Sequence, residues 1–122
     1  MKPDQYILLI EDDQDISEAI KTILEEENIK VECTFNGIEA LNFLTTNKTY
    51  PALILLDIMM PIMNGYEFRE KQLKDPQISK IPTIILSASG NTETLEKLHF
   101  NDCLRKPLDL DSLLSVVSQY IS

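Results

Sequence analysis

Apolar residues in this chain follow two rhythms. Short runs occupy 6–10, 30–35, 52–56, 83–86 and 102–105, and each leads within a few residues into acids, Asn, Gly, Ser or Pro. Runs of that length bounded by turn residues predict strands buried on both faces, with DCLR at 102–105 the weakest. Between the first two runs, DISEAIKTILEEE spaces Ile16, Ala19, Ile20, Ile23 and Leu24 three and four apart, which predicts one buried helix face and leaves Glu25, Glu26 and Glu27 to solvent. Asn36-Gly37-Ile38-Glu39 and Asn64-Gly65-Tyr66-Glu67 share a second signal. In each, an Asn can cap a helix while a Glu three positions on reaches back to the Asn amide. A further helix is expected near Asn91. Another is expected from Asp109, with Leu110, Leu113, Leu114, Val117 and Ile121 as its seam.

Strand and helix therefore alternate five times. Parallel strands joined by crossover helices satisfy that order, which predicts an α/β sandwich with helices on both faces of one sheet. One position breaks the pattern. LILLDIMMPIMNG runs four aliphatic residues into the carboxylate of Asp57, where a buried strand ordinarily ends in neutral turn residues. Ligands bind at the carboxyl edge of open parallel sheets. That edge also collects Glu11, Asp12 and Asp13 after the first strand, Ser87 after the fourth, and Lys106-Pro107 after the fifth. Taken singly these are a turn acid, a turn hydroxyl and a surface lysine. Their convergence makes them candidates for chemistry. Asp13 and Asp15 precede the first helix and are read as partners of its dipole, outside the site.

Composition narrows the classes. The 122 residues suit one domain over 1–122, and 43% hydrophobic with 25% charged residues is ordinary for a globular fold. Eleven basic against twenty acidic residues give a formal charge of −9, which repels phosphate backbones and anionic membranes and argues against direct nucleic-acid or membrane contact. No segment has the pattern of a signal peptide or the length of a membrane span. Cys33 and Cys103 lack metal-ligand spacing and are read as reduced, small buried hydrophobes, which suggests a cytoplasmic setting. Met59, Met60 and Met63 read as loop and core packing. His99 has no acid or thiol partner at ligand spacing and reads as structural or exposed.

In order and approximate spacing, ILLIEDD, LILLDIMMPIMNG, IILSAS and LRKPLDLDSL resemble the receiver domain of two-component response regulators, of the chemotaxis-regulator kind, over nearly the whole chain. The resemblance implies a flavodoxin-like, doubly wound (βα)5 sandwich with strand order 2-1-3-4-5. It implies a signalling domain, not an enzyme, with no output domain in this chain. Asp57 would accept a phosphoryl group from a sensor histidine kinase, a histidine phosphotransfer protein or a small acyl phosphate. Output would pass by conformational change to a downstream protein partner or to an output domain missing here. Three carboxylates at one edge repel one another and an incoming phosphate, so Glu11, Asp12 and Asp57 are expected to bind a divalent cation. An all-oxygen site suits Mg2+, with Mn2+ as a substitute. By resemblance the backbone carbonyl of Met59 is a further ligand, and Lys106-Pro107 is a cis bond. Lys106 would place a positive charge on a phosphoryl oxygen, and the Ser87 hydroxyl would sense the added group. Kinase specificity is expected around Ile16 to Ile23.

Departures from the family pattern carry their own expectations. Cys103 stands three positions before Lys106, where receivers usually have Tyr or Phe. His99-Phe100 replaces a customary Gly-Ala, so Phe100 is a candidate substitute aromatic. Output is expected on the face built by the helix near Asn91, the fifth strand and the last helix, with altered packing. Met59 and Ser89, next to the site, are neither acidic nor amide-bearing, which predicts a persistent phosphoryl-aspartate. A haloacid-dehalogenase-type phosphatase uses similar groups, but it carries D-x-D at the nucleophile and its acidic pair late. Here Met59 replaces the second Asp and Glu11-Asp12 come first. The other alternative is a receiver-like interaction module that works without phosphorylation.

Overall fold

The computed structural model describes residues 5–87 and 99–121. Five strands, β1 (Ile7–Ile10), β2 (Val31–Thr34), β3 (Leu53–Asp57), β4 (Thr83–Ser87) and β5 (Asp102–Arg105), form one parallel sheet of order β2-β1-β3-β4-β5. That is the expected order. Among the described residues the helices are α1 (Gln14–Glu26), α2 (Gly37–Thr46), α3 (Gly65–Lys74) and α4 (Leu110–Ser118). The helix expected near Asn91 lies outside the described residues. None of the described helices is long and apolar enough to cross a membrane.

The unbroken apolar strands supply two cores at once, because successive side chains point to opposite faces. Ile7, Leu9, Leu53, Leu55, Ile84 and Leu86 pack with Ile20 and Leu24 of α1 and Leu113 and Val117 of α4. Leu8, Ile10, Ile54 and Leu56 pack on the other face with Ala40 and Leu44 of α2 and Phe68 of α3. The helix faces are narrower than their spacing predicts. Ala19 and Leu110 are exposed, and Ile16 and Ile23 are only half-buried. Ser17 is buried in their place. Cys33 and Cys103 are likewise half-buried, since each sits on an edge strand with a neighbour on one side only.

Side-chain caps begin the helices where the pattern places them. Asp13 accepts from the amides of Asp15 and Ile16, Asn36 from Glu39, Asn64 from Glu67 and Asp109 from Ser112. Each cap satisfies amides that the first helical turn leaves unpaired. The reciprocal bond from the Glu side chain is present at Asn64, whose N–H donates to Glu67 Oε1 at 3.2 Å. At α2 only the forward half forms. There Asn36 is fully extended, with φ −161° against −79° for Asn64, which turns its amide away from Glu39.

Candidate functional site

Asp57 is the last residue of β3 and is only 3% exposed. The chain leaves it through a tight loop that returns at Gly65, whose N–H donates to the Ile58 carbonyl at 2.9 Å. A Cβ on Gly65 would lie 2.6 Å from the Asp57 carbonyl oxygen, so only glycine lets α3 begin this close to the strand. Gly37 plays the same part across the site. Its N–H donates to the Met63 carbonyl at 3.1 Å, and a Cβ there would come within 2.6 Å of Met63 Cγ. In the loop itself Ile62 holds φ +68°, a conformation that is strained for a β-branched side chain and costs about 1–3 kcal/mol.

Lys106 enters from the neighbouring strands. Its N–H donates to the Ser87 carbonyl at 2.8 Å, which sets the end of β5 beside the end of β4. The Lys106–Pro107 peptide is cis, as expected. Lys106 Nζ lies 2.7 Å from Glu11 Oε1 and 3.1 Å from Asp57 Oδ1, so one ammonium bridges two buried carboxylates. Met59 N–H approaches the same Asp57 oxygen at 3.4 Å, while its side chain is 75% exposed. Ser87, the last residue of β4, is buried at the same edge. Glu11, Asp12, Asp57, Met59, Ser87 and Lys106 thus converge from four strand ends and their loops.

The pocket carries more negative charge than it neutralises. Glu11 is fully buried, and that burial, reinforced by Asp57, pushes its carboxyl up to about 7 against the opposing pull of Lys106. Burial and Asp57 also raise Asp12. Burial alone would pull Lys106 down, but Glu11 and Asp57 outweigh it and hold the ammonium above its usual range. Glu11, Asp12 and Asp57 each offer a carboxylate oxygen within 4.8 Å of the others. Glu11 Oε1, although paired with Lys106 by charge, has no well-formed hydrogen bond among the described residues. A buried, under-satisfied carboxylate in an all-oxygen cluster fits a hard divalent cation.

Asp13 and Asp15, read from the sequence as partners of the helix dipole, are the N-cap of α1 and an exposed residue of its first turn, so Asp15 lies within the helix and does not precede it. Ser89 lies outside the described residues. Phe100 is not a substitute for an aromatic near Lys106. It precedes β5 at the opposite, amino edge, with its ring 5.3 Å from the Arg69 guanidinium. His99 is exposed, in line with its reading, and takes a left-handed backbone with φ +53°. Two features escaped the sequence reading. One is Arg69, 3% exposed on α3. The other is an apolar groove of about 260 Å3 beside the site, where Ile16, Ala19 and Ile23 of α1 face Pro107, Leu108 and Leu110. The exposure of Ala19 and Leu110, two residues read as core, is the signal that marks the groove.

Comparison with known proteins agrees with this geometry. A family model described as the response regulator receiver domain matches residues 7–118. The chain is 38% identical over 118 residues to the probable transcriptional regulator ycf29 of Porphyra purpurea, covering 94% of this chain and 56% of that protein. It is 32% identical to the response regulator Rre1 of Synechocystis, covering 95% and 51%. The chain thus spans about half the length of these curated relatives. Among solved structures, the signal receiver domain of a signal transduction histidine kinase from Syntrophus aciditrophicus superposes with a TM-score of 0.86 at 32% identity, covering 95% of this chain and 89% of that one.

Proposed function

The chain belongs to the response regulator receiver domain family, and we propose that Asp57 is its phosphoacceptor. The observation that carries this reading is the placement of Glu11, Asp12, Asp57 and Lys106 in one pocket at the carboxyl edge. Attack by an Asp57 carboxylate oxygen on phosphorus forms a P–O bond. The P–N bond of a phosphohistidine, or the P–O bond of an acyl phosphate, breaks, and its electron pair leaves with the imidazole or carboxylate. Lys106 already touches Asp57 and offers the positive charge that an added phosphoryl oxygen requires. The Ser87 hydroxyl supplies a hydrogen-bond donor one strand away, which makes it the group that senses the modification. Glu11, Asp12, Asp57 and the Met59 backbone carbonyl would hold Mg2+, with Mn2+ as a substitute, and the ion would offset the excess negative charge and orient the phosphoryl oxygens.

On this reading residues 1–122 act as one signalling domain whose only chemistry is its own phosphorylation and dephosphorylation, in the cytoplasm. The donor is a sensor histidine kinase, a histidine phosphotransfer protein or a small acyl phosphate. The groove between α1 and the residues after β5 supports docking of a protein donor beside Asp57. The signal passes to a downstream protein or to an output domain, and the charge of −9 favours protein over nucleic-acid contact for this unit. The exposed thioether of Met59 offers water no acid or amide, which supports a persistent phosphoryl group.

The test is intact mass after incubation with acetyl phosphate and Mg2+, beside Asp57→Asn and a chelator control. One phosphoryl adduct that disappears in both controls is expected. A folded, Mg2+-bound protein that gains no adduct from acetyl phosphate or from phosphohistidine donors would sink the reading and favour a phosphorylation-independent module. Ser87→Ala should keep the adduct and blunt the accompanying change in amide exchange. A phosphoryl lifetime of only seconds would contradict the role given to Met59.

A further inference from the structure

The amino edge of the sheet, opposite the acidic pocket, holds a second buried charge that phosphoacceptor chemistry does not use. Arg69 Nη1 donates to Gln72 Oε1 at 2.9 Å and to Thr83 Oγ1 at 3.1 Å, and Nη2 donates to the His99 carbonyl at 2.7 Å. The guanidinium also stands 5.3 Å from the centre of the Phe100 ring, within cation–π range. Asn101 completes the arrangement from the other side. Its N–H donates to the Thr83 carbonyl at 2.9 Å, and its Oδ1 accepts from Thr83 N–H at 2.7 Å. Residues 99–101, which lead into β5, are therefore gripped by α3 and by the first residue of β4 together.

β5 connects this grip to the pocket. The strand has four residues, about 13 Å of extended chain, and Lys106 follows it directly. Lys106 holds Asp57 and Glu11 at one end, while His99 and Phe100 are held by Arg69 at the other. A short strand laddered to β4 is stiff along its length, and a guanidinium bonded through two nitrogens moves with what it holds. We propose that Arg69 is a positioning residue that makes α3 a responding element: displacement of Lys106 when Asp57 is modified travels along β5 and through the Arg69 grip to α3. The surface that changes with phosphorylation then includes the exposed side of α3, with Glu70, Lys71 and Lys74. The inference rests on the phosphoacceptor reading of Asp57. It goes beyond that reading by naming a second surface on which the state of Asp57 is displayed.

Amide hydrogen exchange on the full chain tests it, with and without acetyl phosphate and Mg2+, with the adduct verified by intact mass in each sample. In the unaltered protein, exchange in 65–74 and in 99–105 should change together on phosphorylation, by about two- to thirtyfold. Arg69→Met should keep the adduct and the change in 99–105 but lose the change in 65–74. Arg69→Lys, which retains a donor for the His99 carbonyl but not the fork, should restore part of it. If Arg69→Met does not fold, Phe100→Leu leaves the guanidinium bonded and should weaken the α3 response without abolishing it. An adduct without any α3 change in the unaltered protein overturns the proposal, as does a full α3 response in the foldable variants. Absence of the adduct itself would instead defeat the reading of Asp57, and the relay with it.

Discussion

The two edges of this sheet bury charge in opposite ways. At the carboxyl edge, Glu11 and Asp57 share a single ammonium, Asp12 adds a third carboxylate, and the Glu11 carboxyl is pushed up to about 7. At the amino edge, Arg69 is as deeply buried as Asp57, yet it is met by an amide oxygen, a hydroxyl, a backbone carbonyl and an aromatic face. Burial lowers the Arg69 pKa from its usual range, but the guanidinium stays charged among these acceptors. Among the described residues, the groups that meet the Arg69 charge are neutral acceptors and an aromatic face. The pocket charges are left in excess, a state that favours binding of a cation and transfer of a group.

The largest effect that follows is on chemistry. Asp57→Asn should abolish the phosphoryl adduct seen by intact mass, whereas Arg69→Met should leave it in place, so loss of the adduct in both variants would break the division between the edges. Stability should show the reverse. Arg69→Met strands the Gln72, Thr83 and His99 acceptors and should cost about 2–4 kcal/mol in urea unfolding, while Asp57→Asn, which removes a repelling charge from the metal-free pocket, should cost little or stabilise.

pH sharpens the comparison further. The metal-free folded protein holds a proton on Glu11 up to about 7, against an ordinary value of 4.5, so it binds that proton more tightly than the unfolded chain does. Stability should therefore fall as pH rises from about 4.5 through about 7 and level off above, which urea midpoints across that range will show. Lys106 is raised from 10.5 and titrates above this window. Glu11→Gln should flatten the dependence and weaken Mg2+ binding, read by calorimetry, by about tenfold or more through loss of a charged ligand. The smallest effect belongs to the caps. Asn64→Ala removes the side-chain half of the α3 capping box, the acceptor for the Glu67 amide, and should cost about 1 kcal/mol in urea unfolding, without changing adduct yield.

Much of this was legible in the chain. The alternation of runs and three-and-four spacing matched the five strands to within a residue and the starts of the described helices, because burial on both faces forces runs such as LILL to be continuously apolar. The carboxyl-edge residues were also legible, since each directly follows or ends a strand and topology alone brings them together. The Arg69 grip was not. Arg69, Thr83, His99 and Phe100 are spread over three elements, and an arginine on a helix reads as solvated until its neighbours are known. The reading of Phe100 as a substitute aromatic failed for a different reason: it precedes β5 and so lies at the opposite end of that strand from Lys106, where its ring meets Arg69.

By itself, then, the sequence determined the order and type of the described elements and the set of groups at one edge, because those follow from local periodicity and from the rule that ligands meet the ends of parallel strands. Tertiary structure decided which helix covers which face and how far each helix face is buried. It also set the 2.7 Å and 3.1 Å contacts through which Lys106 divides its charge between Glu11 and Asp57. Those depend on distances between segments far apart in the chain. Electrostatic and packing energies change steeply over an ångström, and spacing along the sequence carries no information at that scale.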